Sequence, residues 1–65
     1  FDHEELMLMM LYNTGSRLGL MQELRLMQCY LMPDETALRE LSEDVIEKLK
    51  LMTDAQFAEV EFPLD

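Results

Sequence analysis

Leu38, Leu41, Val45, Leu49 and Met52 recur at intervals of three or four residues, with mostly polar and charged side chains between them. That spacing traces one face of an α-helix, and over so long a stretch it predicts a single long amphipathic helix. Ser42 offers a break, capping a second piece with Leu41 and Ile46 as a hydrophobic staple. The unbroken helix is preferred because the periodicity passes Ser42 without a change of phase. Nothing in the chain alternates with the two-residue period of a strand. The expected fold is therefore all-α: one domain over residues 1–65, a small compact bundle of three main helices plus a short C-terminal helix.

The remaining helices are placed by their caps. Asp2 and Glu5 have the spacing of a capping box, in which a capping side chain and the residue three positions on satisfy each other's free amides. Phe1 and Leu6 flank it as a staple. Thr53 and Gln56 repeat the device, with Met52 and Phe57 in the staple positions. These caps predict a first helix from His3 to about Asn13 and a last one from Asp54 to about Val60. Gly15 in "YNTGSR" suits the left-handed turn that ends a helix, and Ser16 caps the next. The second helix then runs from Arg17 to about Leu31, with Leu20, Leu24, Met27 and Leu31 on one face. Gly19 weakens its first turn and permits the close approach of a neighbouring backbone. Pro33 ends the segment, and Asp34 is expected to cap the long third helix. Glu35 with Arg39 and Asp44 with Lys48 have the favourable i to i+4 spacing for ion pairs.

Sixty-five residues bury only about 60% of the surface that the unfolded chain exposes. With 49% of residues hydrophobic and 29% charged, the chain is apolar enough to fold but short of volume in which to hide everything. The formal charge of -9 is uneven: residues 1–33 carry four acids against two bases, and residues 34–65 carry ten against three. Such a surface repels phosphates, so direct nucleic-acid binding is disfavoured. Cys29 is the sole cysteine, which excludes an internal disulfide and any multi-cysteine metal site and fits a reducing compartment. The apolar run Leu6 to Tyr12 is too short to span a bilayer, and acids precede it where a signal peptide has bases. No membrane association and a cytoplasmic location are expected, and because the chain opens on Phe1 a coding start further upstream is expected too.

Few residues offer chemistry. His3, Glu4 and Glu5 are the one histidine–carboxylate cluster, but neighbours on a helix point apart, whereas a metal needs convergent ligands. A capped, solvated helix start explains the same residues. Cys29 as a nucleophile requires a base, and the lone histidine lies at the other end of the chain; a buried structural thiol is the expectation. The "YNTGSR" stretch lacks the glycines and the Lys-Ser/Thr pair of a phosphate loop and reads as an interhelical corner, with Tyr12 on the core and Arg17 meeting an acid. No catalytic, cofactor-binding or metal-binding residue is assigned.

The acidic start "FDHEEL", the corner "YNTGSR", the pair Tyr30-Leu31 and the tail "EKLKLMTDAQF" appear in one order over almost the whole chain. In this the sequence resembles the transposon-transfer assisting proteins found on conjugative elements of Gram-positive bacteria. The resemblance implies a small all-helical protein in the context of a mobile genetic element, and it supplies no catalytic residue.

Seven methionines, three of them in "LMLMML", are the main oddity. Leu6 to Leu11 point in all directions around a helix axis. Either the first helix is central and flanked on all sides, or part of it stays exposed for self-association or a partner helix. The expected function is that of a non-enzymatic acidic accessory protein acting through a protein partner, with homo-oligomerisation left open. Met7, Met9 and Met10 are the candidate contact residues, and Glu40, Glu43, Asp44 and Glu47 the candidate steering charges. An ordinary solvated face explains those acids as well. The alternative function is a nucleic-acid mimic that occupies the basic groove of a DNA-processing protein.

Overall fold

The computed structural model describes residues 1–63. Its longest element, α3 (Thr36–Leu51), runs through Ser42 without a break. Before it come α1 (His3–Tyr12) and α2 (Arg17–Gln28), and α4 (Asp54–Ala58) follows. No strand occurs among the described residues. The three long helices pack on one another through Leu8 and Met9 of α1, Leu20 and Leu24 of α2, and Val45, Ile46 and Leu49 of α3.

Both capping boxes form. Asp2 Oδ1 accepts from the Glu5 amide at 2.9 Å while the Asp2 amide donates to Glu5 Oε1 at 2.9 Å. Thr53 and Gln56 exchange the same pair of bonds at 3.1 and 2.9 Å. Ser16 Oγ accepts from the Gly19 amide and caps α2.

Element boundaries differ from expectation where turns compete with the helix. The apolar face of α2 continues to Leu31, but the helix ends at Gln28 because the amides of Tyr30 and Leu31 bond to carbonyls three residues back and tighten the winding. Asp34 does not cap α3. The Glu35 amide donates to the Met32 carbonyl at 3.0 Å, which closes a turn over Pro33 and Asp34 and delays the helix to Thr36. Glu35 takes the cap position without a side-chain capping bond. It therefore lies outside the regular helix, and no Glu35–Arg39 ion pair forms among the described residues. Gly19 faces the side-chain oxygens of Thr14 and Ser16 in the corner, not the backbone of another helix.

The "YNTGSR" stretch is a corner. Asn13 Oδ1 accepts from the Gly15 amide at 2.9 Å, and Gly15 has φ +97°, where a Cβ is strained. Arg17 then reaches across the molecule. Its Nε donates to Asp54 Oδ1 at 2.8 Å and its Nη1 donates to the Leu49 carbonyl at 2.8 Å. One guanidinium thus satisfies an end carbonyl of α3, at the negative pole of that helix, and ties α2 to α4.

The Cα extents are 35 × 25 × 18 Å. Helices pack with axes about 8–10 Å apart, so the short dimension holds two layers and no helix is flanked on every side. That resolves the ambiguity over α1, whose Leu11 is 76% exposed.

Gly15→Ala is expected to destabilise the fold by about 1–2 kcal/mol through backbone strain. Arg17→Ala is expected to lose a comparable amount, about 1–2 kcal/mol, through its charged hydrogen bonds. Urea denaturation measures both, and millimolar phosphate should leave the wild-type Tm unchanged if the corner is structural.

Candidate functional site

Helical geometry sorts the candidate residues. At about 100° per residue, Glu5, Leu8, Met9 and Tyr12 share one side of α1, and Met7, Met10 and Leu11 lie toward the other. Met9 has no exposed surface. Its place in the contact set is therefore corrected: it is a core residue, enclosed between α1 and its neighbours. Met7 and Met10 are half-buried.

On α3 the buried residues Ser42, Val45, Ile46 and Leu49 define the inner face. Glu40, Glu43, Asp44 and Glu47 occupy the opposite face and are all exposed. Glu47 meets Lys50 at 3.3 Å, a surface contact of little energetic weight. The other three make no ion pair among the described residues.

Glu5 is not part of a solvated helix start. It is 2% exposed, and both its carboxylate oxygens accept from Lys48 Nζ, at 2.7 and 2.8 Å. The anticipated Asp44–Lys48 pair gives way to this one, because a carboxylate withdrawn from water gains far more from a cation than one already hydrated. The hydrogen bond that Lys48 donates to Glu5, with smaller contributions from the charges of Glu5, Asp2 and Asp44, holds its ammonium above the ordinary lysine pKa. Lys48 Nζ also lies 5.7 Å from the centroid of the Phe1 ring. Ser42 is likewise enclosed, accepting from Gln28 Nε2 at 2.8 Å and donating to the Arg39 carbonyl at 2.9 Å.

His3 and Glu4 are exposed, and no group of three potential metal ligands converges among the described residues. Cys29 is exposed, contrary to the buried thiol expected. It follows the end of α2 about 180° from the Leu20–Leu24 face, a position the sequence periodicity already disfavours for the core.

Two apolar grooves stand out among the described residues. One, of about 370 Å³, lies against α2 and includes Tyr12, Glu23, Leu26, Tyr30 and Leu38 in its walls. Leu26 is 54% exposed and Tyr30 79%. The other, of about 510 Å³, lies between the start of α2 and α4 and includes Leu18, Phe57, Val60 and Phe62. Its charged groups, Arg17 and Asp54, are already joined to each other. Sequence reasoning favoured the methionines and missed Leu26 and Tyr30, though both lie off the core face of α2 in a helical projection.

The family model described as "Putative transposon-transfer assisting protein" (TTRAP) matches residues 1–63. The chain belongs to this family. No curated protein and no solved structure matches it. The TTRAP description points to a role in assisting transposon transfer. No helix among the described residues is long and apolar enough to cross a membrane.

The Glu5–Lys48 pair gives a pH test with a defined sign. A lysine whose folded pKa is raised contributes stability that is complete below the unfolded value, about 10.5, and is lost as pH rises through the folded value. Wild-type protein should lose stability above that pH more steeply than Glu5→Gln, which keeps the capping box and at neutral pH costs about 1 kcal/mol. Lys48→Met should be the more damaging change, because it strands the buried Glu5 carboxylate. Urea midpoints across pH read the first effect, and midpoints at neutral pH read the second.

Proposed function

We propose that this TTRAP protein is a non-enzymatic accessory component of a mobile genetic element that assists transposon transfer by contacting another protein. One observation carries the reading: a small fold leaves large apolar side chains in water that its core does not use, and sets four exposed acids on the side of α3 turned away from its buried face. Large exposed apolar groups supply affinity when covered, and a row of like charge speeds encounter with an oppositely charged surface. Met7 and Met10 of the methionine run stay in the proposed contact set, with Glu40, Glu43, Asp44 and Glu47 as steering charges. The setting is the cytoplasm of a host carrying a conjugative element.

The exposed acidic row also motivates the nucleic-acid mimic, in which α3 occupies a basic DNA groove. Association kinetics with a partner isolated from the host separate the two. Removing the row by E40Q, E43Q, D44N and E47Q together should slow association about tenfold or more at low salt and leave dissociation nearly unchanged. Competition by duplex DNA, with affinity falling steeply in salt, would instead favour the mimic.

A further inference from the structure

Glu23 lines the 370 Å³ groove, is half-buried, and makes no ion pair among the described residues. It is the sole charge in a wall otherwise made of Tyr12, Leu26, Met27, Tyr30, Leu31 and Leu38. Arg25 and Arg39 each stand one residue from a lining position, about 100° around their helices, and neither lines the groove. Asp34 and Glu35, on the connector between α2 and α3, add exposed negative charge between the two walls in sequence.

We propose that this groove receives an amphipathic helix from a basic partner protein, with the helix's apolar face against Leu26, Tyr30 and Leu38 and one of its lysines or arginines against Glu23. The inference rests on the protein-contact reading above and names the surface and the partner chemistry. The described residues present no strand edge, so an extended peptide has no ladder to join, whereas a helix laid beside α2 extends the bundle already there. Tyrosine and leucine at the open rim supply the buried area. A lone carboxylate in an apolar wall loses hydration on covering, and a cation that also donates hydrogen bonds compensates that loss best. This disfavours a second copy of the chain as the occupant. A two-fold interface centred on the groove would enclose two Glu23 side chains and no cation from either wall, between molecules that each carry -9.

The probes are two designed 18-residue helical peptides with leucine every three or four positions, one carrying lysine elsewhere and the other glutamate. Nuclear magnetic resonance titration of the labelled full chain reads the site. The lysine peptide should bind saturably, shifting Tyr12, Leu26, Tyr30 and Leu38, and the glutamate peptide should not bind. Affinity should fall about tenfold, or about 1.4 kcal/mol, in Glu23→Gln and in Leu26→Ser, both at positions the fold does not use. Glu43→Gln, on the acidic face of α3, should change it little. Equal losses for Glu23→Gln and Glu43→Gln would show unspecific charge attraction and overturn the proposal. No binding, or a dimer formed through the groove without peptide, would overturn it too. Shifts confined to the acidic row of α3 would sink the groove while leaving the accessory-contact function standing.

Discussion

Leu8, Met9, Leu20, Leu24, Val45, Ile46 and Leu49 are the hydrophobic side chains that the described fold withdraws from water, and the Cα trace is only 18 Å across its short axis. Two layers of helix have one inner face each, so any apolar residue pointing elsewhere must lie at a rim or in solvent. Leu11, Leu18, Leu26, Tyr30, Met32 and Leu51 are the result. The functional reading grows from this exposed set.

With so little core, a few polar contacts set how the helices meet. Glu5 begins as half of a capping box and ends as the buried partner of Lys48, so the start of α1 and the last third of α3 share one carboxylate. Arg17 joins α2 to the ends of α3 and α4. Ser42 and Gln28 link α2 and α3 by a hydrogen bond between their side chains. Each contact joins residues far apart in sequence and fixes a relative position that leucine packing alone leaves loose.

Much of this was legible in the chain. The 3.6-residue period of α3, both capping boxes and the glycine corner are local features, governed by residues within one turn of each other, and they were read correctly. So was the meeting of Arg17 with an acid, though not which acid. The failures share a cause. Lys48 has Asp44 one turn away, and no local rule reveals that a buried Glu5 draws it elsewhere. Asp34 looks like a cap until the turn over Pro33 forms. Met9 and Met10 are chemically identical neighbours, and only the direction of the α1 core face makes one interior and the other half-open. Tyr30 and Leu26 passed unnoticed because exposure is a property of what fails to pack against a residue. Composition announces no such absence.

The acidic face and the apolar rim act in opposite senses between copies of this protein: one repels, the other attracts. On the proposed reading, in which this TTRAP protein works through a different, basic partner, repulsion must prevail at ordinary ionic strength. Sedimentation equilibrium across salt concentration measures the balance directly. Monomer is expected at low salt and weak, concentration-dependent association near 1 M salt, where the Debye length contracts to about 3 Å and the charges no longer hold the rims apart. A tight dimer at low salt would contradict it, since the exposed leucines and Tyr30 would then already be spoken for.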